Sequence, residues 1–247
     1  MNSTDYGDFA PEVAPVGSNF AMTRMSDVEP TQVEWTWRGR IPRGCVSLVV
    51  AKPGSGKSFT MIDIAAHVTT GRTWPDGAEC EKGEVILFSA EDDPSKTIRP
   101  RLIAQRADST KVHLVRGVVR ESEVGGHGER FPSLRDITPL ENALVAYPDV
   151  ALVVVDPVGS YLGGDTDAHR DNEVRTLLNF VAKLAENYCV AVVLVVHRRK
   201  QSGADADALA LGSVAFSGVA RAVWHIFIDK DDHARRFFLP GKMNLCA

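Results

Sequence analysis

Residues 51–58 read AKPGSGKS and place two glycines, a lysine and a serine hydroxyl within five positions. Gly54 and Gly56 let the backbone turn so that successive N–H groups converge, the arrangement that cradles phosphate oxygens. A helix starting near Lys57 adds the positive end of its dipole. The Lys57 ammonium then reaches the β- and γ-phosphates, and the Ser58 hydroxyl serves Mg²⁺. The spacing fits the phosphate-loop pattern with Ala51 in the first glycine slot. The cradle is expected to run through Pro53, Gly54, Ser55, Gly56, Lys57, Ser58 and Phe59, and ATP with Mg²⁺ is the expected cofactor pair.

A phosphate loop alone does not separate a kinase, a GTPase and a motor, so the ends of other apolar runs must decide. ALVVVDP ends its run in Asp156, placed to hold Mg²⁺; the bland alternative is an acid capping a strand end before Pro157. GEVILFSAEDDP ends in Glu91, Asp92 and Asp93. Glu91 is read as the carboxylate that polarises water for attack on the γ-phosphate, and Asp93 as the N-cap of the next helix. AVVLVVHRRK ends in His197, followed by Arg198, Arg199 and Lys200. A polar side chain there can sense the γ-phosphate, and a purely structural histidine is the alternative.

The elements that must position these groups follow from the hydrophobic pattern. Strands are predicted over 46–50, 85–89, 112–115, 152–156, 190–197 and 223–228, and helices over 57–69, 94–107, 139–147 and 172–188. Continuous apolar strands alternating with helices predict an α/β fold, a doubly wound, mostly parallel sheet with helices on both faces. Ligands of such sheets lie at the carboxyl ends of the strands. Two polar stretches, 159–171 and 198–212, follow strands and belong to that edge. Trp35 and Trp37 fall on one side of an extended segment and are expected to pack at the core edge. Residues 1–30 are polar and acidic and read as a flexible arm, with residues 31–247 as the ATPase domain. Met25 is an alternative start.

The order of these motifs resembles the RecA-like P-loop ATPases. Within them it is most similar to the hexameric replicative helicases of the plasmid RepA type and their phage and bacterial relatives. GRIPRG ahead of the loop strand, GSVAFSGVARAVW at 212–224 and RRFFLPGKMNL at 235–245 carry that likeness along with the phosphate loop. The resemblance implies an ATP-hydrolysing, ring-forming homo-oligomer acting as a helicase or translocase on single-stranded DNA, in replication or mobile-element maintenance. By position it makes Lys57, Glu91, Asp156 and His197 catalytic, with Ser58 and Asp156 serving the metal. His197 couples nucleotide state to the loop after it. Arg221 matches the arginine finger that acts on a neighbouring subunit, and Lys242 a second cation in trans; a surface or internally bonded side chain is the alternative for each. The loops 159–171 and 198–212 would line the channel, with Arg198, Arg199 and Lys200 on DNA phosphates. The acids Asp165, Asp167, Asp171, Asp205 and Asp207 oppose that contact, and two solvated loops are the other reading. Proteins of this group continue with another strand or two, so the chain is expected to be truncated at its C terminus or to end early.

Composition bounds the rest. A net charge of −4 excludes a generally basic nucleic-acid binder, and residues 1–34 hold six acids against Arg24 alone. Cys45, Cys80, Cys189 and Cys246 are widely spaced and form no CxxC, which argues for reduced thiols in cytoplasm. No apolar run approaches the length of a membrane span, and the N terminus lacks a signal-peptide pattern. A second function class stays open, an ATP-dependent regulatory or interaction module that does not travel on DNA. A small-molecule phosphotransferase is disfavoured because no arginine-rich lid is evident.

Overall fold

The computed structural model describes residues 22–121, 127–163, 171–198 and 214–245. The chain divides into two compact units, Met1–Gln32 and Val33–Ala247. In the first, the described residues hold one 3₁₀ turn, Met25–Asp27, and all are exposed.

The second unit is built on a seven-stranded sheet. Its members are β3 (Val46–Ala51), β4 (Glu84–Ser89), β5 (Val112–Val115), β8 (Val150–Asp156), β9 (Ala191–His197), β10 (Ala222–Ile228) and β11 (Arg236–Met243). They lie in the order β11-β10-β3-β9-β8-β4-β5. Every neighbouring pair is parallel except β10 with β11. Two hairpins stand apart from it, β1 (Trp35–Trp37) with β2 (Ile41–Pro42), and β6 (Val118–Glu121) with β7 (His127–Arg130). The helices are α1 (Lys57–Thr70), α2 (Arg99–Ala104), α3 (Ile137–Ala146), α4 (Asp171–Tyr188) and α5 (Val214–Val219).

Central strands are apolar at almost every position because both faces are covered. The two-residue period splits them into two cores. Val153, Val155, Leu194 and Val196 pack with Val174, Leu178 and Val181 of α4. Leu152, Val154, Val193 and Val195 pack with Met61, Ile64 and Val68 of α1. Each such side chain, once fully buried, contributes about 1.5–3 kcal/mol. This is the doubly wound α/β arrangement that the hydrophobic pattern predicts. Among the described residues no helix is long and apolar enough to cross a membrane.

Local departures have physical reasons. The helix predicted over 94–107 is interrupted: a π-turn, Pro94–Ile98, precedes a short α2, Arg99–Ala104. Pro100 has no N–H to give the carbonyl four residues back, so the turn widens there. β11 carries Pro240 and Gly241, which weaken a strand signal but are tolerated on an edge strand. A register shift separates Trp35 from Trp37, and only Trp37 is fully buried.

Trp37 belongs to an aromatic column that locks the first hairpin to the sheet edge. Its ring stacks on Trp74 at 4.4 Å and on Phe238 at 6.0 Å. Phe238 stacks in turn on Trp224 at 4.7 Å, and Trp74 on His67 at 4.7 Å. Each indole N–H donates to an acceptor: Trp37 to Asp76, Trp74 to the Thr36 carbonyl and Trp224 to the Arg40 carbonyl. The column thus combines large apolar burial with satisfied donors. Trp74, only 2% exposed, is sandwiched between Trp37 and His67. Replacing it with alanine is expected to cost about 3–5 kcal/mol, read as a lowered urea midpoint. An unchanged midpoint would show that the column does not hold the hairpin.

Candidate active site

Strand register brings the candidate residues to one edge. Ala51 pairs with His197, and Ser89 pairs with Asp156, so β3, β9, β8 and β4 all end together. The loop after β3 folds as the glycines require. Gly54 and Gly56 have φ of 77° and 89°, in the left-handed region where a Cβ is strained. The Ser55 hydroxyl closes the turn by donating to the Lys52 carbonyl at 2.7 Å. Gly56 is the N-cap of α1 and supplies no side-chain cap. The first N–H groups of α1 therefore have no intrahelical acceptor and face the loop as an anion site. Phe59 lies on the exposed side of that turn.

Lys57 is buried at 7% exposure, and its Nζ lies 3.7 Å from Glu91 Oε2. Glu91 Oε1 lies 3.4 Å from His197 Nε2. His197 Nδ1 has no hydrogen-bond partner among the described residues. Glu91 is thus suspended between a cation and an imidazole at distances longer than strong hydrogen bonds. Its neighbours are firmly committed. Asp93 accepts from the N–H groups of Ser95 and Lys96, as an N-cap does. These hydrogen bonds, that from Lys96 first, hold its carboxyl below the usual range. Asp92 pairs with Arg101 at 2.8 Å.

Asp156 is buried at the end of β8. Burial pushes its carboxyl above the usual range, Glu91 and Asp92 push it further, and the Ser58 hydroxyl and Lys57 oppose the shift. Its Oδ1 has no hydrogen-bond partner among the described residues. An orphaned buried carboxylate oxygen beside a serine hydroxyl is a hard-oxygen donor set, which fits Mg²⁺. Ser58 and Asp156 are the residues that would hold it, and the ion would supply neutralisation of phosphate charge.

The remaining predicted residues lie elsewhere. The Arg221 N–H donates to the carbonyl of Val46, the first residue of β3, so Arg221 sits at the opposite edge of the sheet. Six strand residues, about 20 Å of extended chain, separate that edge from the phosphate loop. Lys242 Nζ donates to the Ser217 and Ala220 carbonyls at the end of α5. The Arg198 guanidinium lies 5.2 Å over the Phe227 ring. Arg199, Lys200, the rest of the second polar loop and residues 164–170 of the first lie outside the described residues.

One nearby cation escapes sequence reasoning. A Cβ built on Gly56 would lie 3.8 Å from Arg236 Nε, so the first residue of β11 reaches back over the phosphate loop. Nothing in the spacing from Gly56 to Arg236 signals this; the antiparallel return of β11 along β10 creates it.

The fold is that of a RecA-like P-loop NTPase domain. The chain belongs to the AAA domain family, whose model matches residues 17–203. Among solved structures it is similar in fold to the ATPase domain of a protein designated G-40-P. That likeness has a TM-score of 0.58 and 11% identity, and covers 82% of this chain and 78% of that one. No curated protein matches it by sequence.

Glu91→Gln is expected to retain ATP binding while turnover falls about 10²–10⁴-fold, the usual reach of general-base catalysis, in nucleotide-binding and phosphate-release assays. Normal turnover would remove Glu91 from the mechanism. For Asp156 the raised folded value means that the buried charge costs stability above that value, a cost absent below the unfolded value near 3.9. Asp156→Asn is therefore expected to raise the thermal midpoint at neutral pH and to abolish Mg²⁺-dependent turnover; a lowered midpoint contradicts the assignment of a costly buried charge. Arg236→Ala is expected to weaken ATP binding about tenfold, the value of one charge-assisted contact. Unaltered affinity would mean that Arg236 only borders the loop.

Proposed function

We propose that the protein hydrolyses ATP at the Lys57–Glu91–His197 cluster and couples the cycle to movement along single-stranded DNA as a ring of identical subunits. The observation that carries the hydrolytic part is Glu91, held at 3.7 Å from Lys57 and 3.4 Å from His197 without a strong partner. Such a carboxylate is available to orient water at the γ-phosphate that Lys57 would bind. His197 contacts Glu91 with one ring nitrogen and ends the strand that leads into the second polar loop. In this reading a change at the γ-phosphate moves His197 and hence that loop.

Arg221 supports the ring. At the far edge of its own sheet it cannot serve its own nucleotide, so as an arginine finger it must act on a neighbouring subunit's phosphates. The motif order argues for the RepA-like group of hexameric replicative helicases and for a role in replication or mobile-element maintenance. Arg198, Arg199 and Lys200 are the proposed phosphate contacts. A second reading, an ATP-dependent interaction module without translocation, is favoured by Arg198 lying over Phe227 and by the net charge of −4.

The test combines particle size in ATP and Mg²⁺ with phosphate release in the presence and absence of single-stranded DNA. The motor reading expects a ring-sized particle and DNA-stimulated turnover. A monomer indifferent to DNA favours the interaction module. Mixing Arg221→Ala with Lys57→Ala subunits should restore part of the lost activity, because each mixed interface can pair an intact loop with an intact finger. No recovery at any ratio rules out action in trans.

A further inference from the structure

Phe131 is a large apolar side chain left 57% exposed just ahead of α3. Its ring lies nearly parallel to that of Tyr161, with centroids 5.2 Å apart and planes inclined by 15°. Tyr161 is fully buried and meets Phe88 edge-on at 5.4 Å. The Leu134 N–H donates to the Tyr161 carbonyl at 2.7 Å, which binds the two segments together. Phe131 therefore presents one ring face to solvent and rests its other face on a rigid support.

A cavity of about 520 Å³ opens beside this ring, lined among others by Arg130, Ser133, Arg135, Ser160 and Gly163. Two of its lining residues are arginines, and no carboxylate lines it among the described residues. Arg130 is paired with Asp136, and the Arg135 side chain lies close to Gly163, whose φ of 90° suits glycine. The acids Asp165 and Asp167 follow in the chain, outside the described residues. An exposed aromatic face on a rigid base, beside cationic and hydroxyl donors, is what binds an unpaired base and its phosphate.

We propose that Phe131, supported by Tyr161 and flanked by Arg135, is a stacking platform for an unpaired base of a single-stranded nucleic acid. This rests on the motor reading above and gives it a contact outside the basic tail of β9. The support of the platform also follows closely on Asp156 in the chain. Tyr161 ends the turn Val158–Tyr161 that follows Asp156 and Pro157, and burial together with the Asp156 charge pushes its phenol up to about 12.

The experiment is fluorescence anisotropy of labelled oligothymidylate and oligouridylate with the full chain, in a non-hydrolysable ATP analogue and at several salt concentrations. Phe131→Ala is expected to weaken single-strand binding about tenfold, the value of one base–aromatic stack, while leaving ATP turnover without nucleic acid unchanged. Phe131→Trp should retain affinity. Arg135→Gln should lower both affinity and its salt dependence. Should Phe131→Ala unfold, Phe131→Leu keeps the apolar cover over Tyr161 without a π-face, and lost affinity in that folded variant supports the platform equally. Wild-type binding together with unchanged affinity in the alanine or leucine variant overturns the platform and leaves the motor reading standing. A wild-type chain that binds neither single strand overturns both.

Discussion

A carboxylate buried at the end of a central strand is the constraint around which this site is organised. Asp156 terminates β8, where burial makes its charge costly. A charge in that position must be compensated by cations or donors, because burial strips most of its hydration. The Ser58 hydroxyl and Lys57 supply part of the compensation, and both come from the first turn of α1. That turn can face Asp156 only because β3 and β8 flank β9 in register and end at the same edge. The compensation is incomplete, since Oδ1 remains without a partner among the described residues. A site left short of positive charge is one that a divalent cation completes.

The three acids after β4 show how neighbouring identical chemistry is divided by geometry. Asp93 is consumed by the backbone donors of the next turn, and Asp92 by Arg101. Those two anchors fix the backbone on the C-terminal side of Glu91. Glu91 itself is half-exposed and held by two long contacts, to Lys57 and His197. Long contacts are weak and easily exchanged, whereas a carboxylate locked in a bidentate pair would have to break it before touching water. The segment is held firmly at Asp92 and Asp93 and loosely at Glu91.

The legible part of the fold is the part governed by apolar burial. β5 matches the predicted span of 112–115, and the other strands of the parallel sheet lie within two residues of theirs; for the central strands the reason is that apolar runs have few alternatives once both faces are covered. The phosphate loop, Asp156, Glu91 and His197 are legible for the same reason, as polar residues standing where such runs stop. What escapes depends on pairing at a distance. β11 reads poorly because Pro240 and Gly241 break its local signal, and the antiparallel ladder with β10 is what stabilises it. Arg236 follows from that ladder, so its position over the phosphate loop is invisible in spacing. The β6–β7 hairpin has only four residues in each strand, too few to leave a clear period. Lys242, read by resemblance as a cation in trans, is bonded to the carbonyls that close α5.

Two routes lead out of the active edge, and they differ physically. One passes through His197 into the polar loop after β9, where a side chain in weak contact with Glu91 can swing as its partner changes. The other passes through Tyr161, which is wedged between Phe88 and Phe131 and shares the field of Asp156. Packed aromatic rings do not swing; they shift as a block, because an interior at crystal-like density has no room for independent motion. The first route suits a switch that reports the presence of a γ-phosphate. The second suits a stiff strut, in which a load at the proposed Phe131 platform would be carried back along the four-residue turn Val158–Tyr161. The proposed motor would need both properties, a reporter that changes state and a strut that carries force. The two routes start from adjacent strands, β9 and β8, within one strand spacing of each other.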